Sequence, residues 1–333
     1  MRKLATIRKI DELNPIEGAD KIEVATVGGW KVVAQKGLYN VGDLAVYFEI
    51  DSWIPNTLAP FLTKPGQHPK VFEGVEGERL RTIKLRGQIS QGLLMPLEEA
   101  CKNIESELFE GLDVTLPLGI LKWEKAIPAQ LSGLVKGNFP TQIPKTDQER
   151  VQNLKKELAS CVGAIFEVTE KLEGSSMTCY KIDGVFGVCS RNLDLKRDEN
   201  NSFWKTAIEM DVENKMAFSD NFAIQGELIG PGVQGNIYGL NRLEFRVFDV
   251  YDIKEGKYLN PADREDMIKR MGLDHVPILD DAFIMNDNIE SLLSLAEGCS
   301  RLAQTEREGL VFKEVNGGIT FKAISNKYLL GEK

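Results

Sequence analysis

One segment of this 333-residue chain sets a lysine where nucleophilic chemistry is conceivable. Lys171-Leu172-Glu173-Gly174-Ser175-Ser176 comes after a strand-like run from Phe166. Alone, Lys-x-Glu-Gly is a weak signal, because exposed Lys–Glu pairs are common. Its weight comes from the ordered blocks downstream: Ser190-Arg191, then Glu227 in Gly226-Glu227-Leu228-Ile229-Gly230, then Phe245 in Phe245-Arg246-Val247-Phe248-Asp249. Glu308-Gly309-Leu310-Val311-Phe312-Lys313 and Phe321-Lys322-Ala323-Ile324-Ser325 complete the series. A lysine attacks only as the neutral amine. With an ordinary pKa, about one in a thousand is neutral near neutral pH, and full activation takes roughly 4 kcal/mol. Neighbouring cations supply such a shift, and Lys313 and Lys322 are the candidates. Glu173, Glu227 and Glu308 push the other way as bare carboxylates. A divalent ion, bound directly or through its waters, offsets them. Lysine and acids therefore make sense together with a metal.

The ordered blocks resemble the covalent nucleotidyltransferase superfamily of polynucleotide ligases and mRNA capping enzymes, matching its motifs I, Ia, III, IIIa, IV and V over residues 165 to 325. Ser176 stands where capping enzymes and most DNA ligases carry the arginine of K-x-D-G-x-R. Few residues come after the last block, so the OB domain that follows the catalytic domain in those enzymes is not expected here. An OB-like module in front instead resembles ATP-dependent RNA ligases of the N-terminal-OB, nick-sealing type.

That resemblance implies three steps: attack of Lys171 on the ATP α-phosphate, transfer of AMP to an RNA 5′-phosphate, and attack by the RNA 3′-OH with loss of AMP. It assigns metal binding, to Mg²⁺ or Mn²⁺, to Glu173, Glu227 and Glu308. Arg191 would hold a phosphate or the ribose. Glu227 would also accept from a ribose hydroxyl, Phe245 would stack on adenine, and Glu170 would help read the adenine edge. Lys313 and Lys322 would belong to the nucleotide-binding set. The last block reads Thr320-Phe321-Lys322 rather than Lys-x-Lys, so Lys327 is the candidate for the second cation. The expected substrate is RNA with 3′-OH and 5′-phosphate ends, in nicked duplex, handled by a monomer. Two alternatives are an RNA- or tRNA-binding OB protein with an inactive transferase domain, and a capping-type enzyme using GTP. Retention of all six Lys and Glu positions argues for activity.

The elements that must position these residues form an α+β chain. Residues 1–123 read as an OB-like β-barrel, an SH3-like barrel fitting almost as well, 124–146 as a linker rich in Pro and Gly, and 147–333 as an α+β, ATP-grasp-like nucleotidyltransferase domain. Ile22 to Val27 alternates into Gly28-Gly29 and returns through Trp30 to Ala34, a hairpin signal. Further strands are expected at Leu44–Ile50, Arg81–Gly87 and Gln91–Met95. Thr146-Asp147-Gln148-Glu149 has capping-box character and predicts a helix towards Leu158. Asp183-Gly184 predicts a tight hairpin turn. Strands are expected over 166–171, 224–229 and 245–251, and helices over 261–270 and 289–304.

Two motifs are discounted. Gly230-Pro231-Gly232-Val233-Gln234-Gly235 matches G-x-G-x-x-G, but no helix start comes after it. Lys181-Ile182-Asp183-Gly184 matches K-x-D-G, but a hairpin turn accounts for it.

The net charge of −9 argues against coating nucleic acid by bulk charge, though not against a local basic groove. Arg79 to Gln88 concentrates four cations in what reads as one strand, suited either to RNA contact or to a solvated edge. Trp30 and Trp53 are readable as stacking platforms or as core. Five cysteines without a C-x-x-C pair suggest neither a disulfide framework nor a zinc site. No apolar run approaches the roughly 20 residues of a membrane span, and Met1-Arg2-Lys3-Leu4 does not open a signal region. An intracellular protein, cytoplasmic or nuclear, is expected.

Overall fold

A computed structural model describes residues 2–124 and 134–331. The chain forms two compact units, Met1–Ala126 with Gln152–Lys155, and Ile127–Val151 with Lys156–Lys333.

The first unit is built from short antiparallel strands. Leu44–Phe48 lies between Ala5–Lys9 and Leu93–Pro96. Glu12–Pro15, Ile22–Val27 and Trp30–Gln35 form a second sheet. A third runs Leu121–Lys122, Ser52–Pro55, Val75–Arg79, Lys70–Phe72. Inward residues of the first and third sheets, among them Ile7, Val46, Phe48, Ile54 and Met95, share one core. Trp30 and Trp53 are 0% and 2% exposed, so both are core residues and neither is a stacking platform. Gln152–Lys155 belongs to this unit through Asn153. Its Oδ1 accepts from Trp30 Nε1 and Arg8 Nη2, each at 2.7 Å, and its amide donates to Glu49.

The basic run is not one strand. Leu80 turns into the core and ends Val75–Arg79, and Thr82–Leu85 begins a separate hairpin with Gln88–Gln91. The Arg79 guanidinium lies over Trp123, 3.6 Å from the ring centroid, and bonds Asp51.

The second unit has two sheets. The larger runs Val135–Asn138, Leu193–Leu195, Val185–Cys189, Ser175–Ile182, Phe222–Ile229, Glu244–Asp252, Lys257–Tyr258, with Asp274–His275 also pairing Glu244–Asp252. The helices Ser202–Glu209, Val212–Lys215 and Pro261–Arg270 bury one of its faces, around Met177, Trp204, Ile224, Phe245 and Ile268. The smaller sheet runs Glu149–Arg150, Thr320–Ile324, Gly309–Glu314, Ile165–Lys171, Ile278–Ile284. Asp183 and Gly184 both take positive φ, as the tight turn requires. Residues 230–235 form a loop leading to the strand Glu244–Asp252, so they open no nucleotide-binding helix. None of the described helices is long and apolar enough to cross a membrane.

Three expectations change. The helix read from Thr146 is confined to Lys155–Ser160, because Glu149–Arg150 pairs in parallel with Phe321–Lys322. The helix from Ile289 ends at Ala296, where Gly298 takes a φ of +119°. The linker read over 124–146 lies partly at 125–133, outside the described residues, while Val135–Asn138 is a sheet strand and Phe139 and Ile143 are buried.

A buried charge network ties the two sheets together. Glu167 and Lys313 come from the smaller sheet, Asp249 and His275 from the larger, and Arg264 from a helix. Arg264 ion-pairs with Glu167, and its Nε donates to His275 Nε2 at 3.1 Å. Lys313 Nζ donates to Asp249 Oδ1 at 2.7 Å and to the Phe248 carbonyl at 2.6 Å. Burial and the Arg264 charge push the His275 pKa down to about 4, so the ring is neutral and accepts from arginine. Arg264→Ala leaves Glu167, itself 1% exposed, as an unpaired buried charge. We expect it to cost about 3–5 kcal/mol of unfolding free energy in chemical denaturation; a loss under about 1 kcal/mol contradicts a network that holds the sheets.

Candidate active site

The strand Ile165–Lys171 ends with Lys171 directly opposite Gly309. Gly309 is required there, since a Cβ would stand 2.2 Å from the Ala323 carbonyl oxygen. The same close approach brings Glu308, the preceding residue, beside the lysine: Lys171 Nζ donates to Glu308 Oε1 at 2.7 Å. Gly174 does the matching work after the lysine. A Cβ on it would stand 2.4 Å from the Leu228 carbonyl oxygen and 2.7 Å from Glu227 Cγ. The turn leaving Lys171 therefore passes tightly over the strand that carries Glu227.

Strand alternation sorts the rest. Thr169, Val311, Lys322 and Arg150 form one cross-strand row, two positions from the Lys171–Gly309 pair and on the same face of the sheet. Glu167 and Lys313 form the next row on that face. Glu170 points the opposite way. Its carboxylate accepts from Ser300 Oγ at 2.5 Å and from the Arg301 amide at 2.8 Å, so it fastens the 299–306 loop rather than facing an adenine edge.

The electrostatics favour a charged lysine. Burial pushes the Lys171 pKa down, but Glu308 and Glu227 more than offset it, and the net displacement is upward. Arg150 is the cation that opposes them. Burial raises Glu227 to about 8, with Lys171 and Arg191 pulling down and Glu308 pushing up. Glu173 is also raised, by burial first and Glu308 second, although Gly235 and the Tyr328 hydroxyl bond it. Its Oε2 is buried with no hydrogen-bond partner, an orphaned acceptor. These carboxylates fit a cation. Among the described residues, however, no group of three or more His, Cys, Asp or Glu converges as a metal cage. The set suits an ion such as Mg²⁺, which keeps most of its waters and takes one or two carboxylates together with phosphate oxygens.

The remaining sequence candidates divide. Arg191 comes close enough to act on Glu227, and it ion-pairs with Asp147. Lys322 shares the lysine face. Lys313 also lies on that face, but it is 7% exposed and bound to Asp249 and Phe248. It stands four strand positions from Gly309, about 13 Å along the strand. It is thus spent on the buried network and is not the cation that tunes Lys171. Lys327 reaches Glu297 at 3.2 Å on a half-exposed helix. Phe245 is 0% exposed within the core of the larger sheet, so it stacks on no ligand. Phe248, three residues on, has the opposite parity: it is partly exposed and groups with Leu172, the residue after the lysine.

Arg150 and Phe248 escaped the sequence reading. Arg150 lay inside an expected helix, and no local signal marks its pairing with Lys322. The F-x-x-F spacing of Phe245 and Phe248 offered two aromatics of opposite facing; Phe245 shares the core with Val247, and a β-bulge at Phe248, between the Gly226–Val247 and Gln225–Asp249 pairs, returns Val250 to that core while Phe248 stays out of it.

A family profile described as RNA ligase matches residues 164–328, and an OB-fold domain profile matches residues 4–97. The chain is similar to the structure of a Naegleria gruberi RNA ligase with pyrophosphate, at 45% identity and a TM-score of 0.92, covering 99% of this chain and 98% of that one. It is equally similar to a lysine-to-alanine variant of that ligase with ATP and manganese, at 45% identity, 98% coverage of both chains and a TM-score of 0.92. An arginine-to-alanine variant with ATP and manganese matches at 45% identity and 98% coverage of each chain, with a TM-score of 0.91. Curated protein sequences give no match.

The charge arrangement makes a direct prediction. Glu308→Gln removes the nearest carboxylate while leaving burial and Arg150. In metal-free protein, the Lys171 pKa followed by NMR of the ε-amine should drop. An unchanged value contradicts the assignment of Glu308 as the group that holds the lysine charged.

Proposed function

The chain belongs to the RNA ligase family, and on that premise we propose that it joins RNA 3′-OH and 5′-phosphate ends at breaks in duplex RNA, through Lys171–AMP and an adenylylated RNA 5′ end. It is an ATP-dependent RNA ligase with an OB domain, and it uses ATP with a divalent ion, Mg²⁺ or Mn²⁺. The observation that carries the proposed chemistry is the setting of Lys171: a strand-end lysine, 2.7 Å from Glu308, within the field of Glu227 and Arg150.

A lysine nucleophile entails three transfers. The neutral Nζ attacks the ATP α-phosphorus; a P–N bond forms, the bond to the bridging oxygen breaks, and pyrophosphate leaves. An RNA 5′-phosphate oxygen then attacks the same phosphorus, the P–N bond breaks, and the lysine is released as amine. Finally the RNA 3′-OH attacks the activated 5′-phosphate, losing its proton as the phosphodiester forms and AMP departs. A divalent ion near Glu173, Glu227 and Glu308 supplies positive charge that offsets the carboxylates and the phosphates.

The chain's own residues take the other roles. Before attack, Lys171 must give up the proton it shares with Glu308. Arg150 and Lys322, on the lysine face, suit the phosphates, Arg150 through its planar fork. Arg191 suits a phosphate or the ribose beside Glu227. Phe248, rather than the buried Phe245, takes the adenine-stacking role, and Lys313 holds the Phe248 backbone through its carbonyl.

Incubation with Mg²⁺ and α-labelled ATP, GTP or NAD, followed by peptide mapping, tests this reading. AMP from ATP alone should appear on Lys171, and Lys171→Ala should take no label. Label on that variant refutes the nucleophile. Phe248→Ala should raise the KM for ATP about tenfold, as loss of a stacking contact worth ~1–2 kcal/mol implies, with Tm little changed. Phe245→Ala should instead cost about 3–5 kcal/mol of stability. An unchanged KM in the Phe248 variant removes it from the site.

A further inference from the structure

The hairpin Thr82–Leu85/Gln88–Gln91 belongs to the first unit and supplies none of the residues described around Lys171. It is presented unusually. Its return strand is rooted: Ser90 and Gln91 are buried, Ser90 Oγ accepts from the Val33 amide at 3.0 Å, and the Gln91 carbonyl accepts from Tyr47 Oη at 2.9 Å. Its outgoing strand and turn are exposed. Arg81, Lys84 and Arg86 all face solvent, and Ile83 and Leu85 are 47% and 39% exposed between them. Arg86 and Gly87 both take positive φ, giving a tight turn that fixes the tip. The sequence has no Asp or Glu between Glu78 and Glu98.

A chain of net charge −9 acting on RNA meets a polyanion with a repulsive overall field, so the attraction must be local. This hairpin concentrates cations with no carboxylate in its own segment. It also lacks the usual equipment for gripping single strands, which stack bases on exposed aromatics. The hairpin carries none, and Trp30 and Trp53 are buried. Exposed aliphatics flanked by cations suit a different surface: the wide, shallow minor groove of an A-form duplex, lined by ribose edges and bordered by phosphates.

Resting on the RNA ligase reading, we propose that this hairpin is a duplex-RNA contact. The face carrying Arg81, Ile83 and Leu85 lies on the groove, the two aliphatics against its sugar edges and Arg81 on a phosphate, while Lys84, from the opposite face of the strand, and Arg86, at the turn, reach round to the bordering phosphates. Anchoring by Ser90 and Gln91 holds the tip in place, so little ordering entropy opposes binding.

The test is equilibrium binding of full-length protein to nicked duplex RNA and to single-stranded RNA across a salt series. Arg81→Ala/Lys84→Ala/Arg86→Ala should lose about tenfold or more in duplex affinity and flatten the log K against log salt slope by about 2–3 units, near 0.9 per lost phosphate contact. Ile83→Ser/Leu85→Ser should weaken duplex binding without changing that slope. Both variants should form lysyl-AMP from ATP at the parental rate, which also reports that they are folded. Parental duplex affinity and slope in the triple variant overturn the proposal. An equal loss on single-stranded RNA overturns the assignment to duplex. If the parent itself forms no lysyl-AMP, the ligase reading has failed; if the parent seals RNA and the variants bind normally, only the hairpin proposal has.

Discussion

The ion pair between Lys171 Nζ and Glu308 Oε1, 2.7 Å long, is the interaction around which the catalytic unit is arranged. It poses a conflict. For the proposed attack on ATP the amine must be neutral, yet its nearest neighbour favours the charged form, and Glu227 reinforces that neighbour. Desolvation works the other way and is outweighed. The conflict reads as a resting state: the lysine stays charged and unreactive until positive charge arrives among the carboxylates. A buried Glu173 oxygen without a partner and a Glu227 carboxyl that burial raises to about 8 mark acids held away from solvent, whose charged forms a cation would favour. Two glycines make the arrangement possible, because Gly309 and Gly174 let backbone pass where no side chain fits.

Holding this geometry needs the two sheets to keep their spacing, since Lys171 and Glu308 belong to one and Glu227 to the other. The network of Glu167, Arg264, Asp249, Lys313 and the neutral His275 spans that gap. Such buried ions do little for net stability, because desolvation consumes most of the attraction. Their value here is directional: a lysine that must reach both Asp249 and the Phe248 carbonyl fixes where the Phe248 backbone lies.

Much of the site was legible because its blocks fall at strand ends, where the sequence pattern is local. The blocks named Lys171, Glu173, Glu227 and Glu308 but carried no information on their meeting, which the pairing of distant strands brings about, whereas the Asp183-Gly184 turn formed where its residue types demand. The misreadings share one physical origin. Whether a residue faces the site or the core depends on strand parity and on pairing with distant segments. Phe245 and Phe248 lie on opposite faces of a strand that bulges at Phe248, and Glu170 faces away from Lys171 by alternation. Lys313 has the right facing but meets Asp249, contributed by the other sheet. Arg150 sits in a segment whose local preferences favour helix, and its pairing with Lys322, far along the chain, overrides them.

The central claim is that the carboxylates gate the lysine by charge. Single-turnover formation of lysyl-AMP, measured against pH at several Mg²⁺ concentrations with ATP saturating, tests it most directly. If the carboxylates hold the proton on Lys171, the apparent pKa for the step falls as Mg²⁺ rises, with a matching gain in rate near neutral pH. An apparent pKa independent of Mg²⁺, while the rate itself still saturates with the ion, would contradict it.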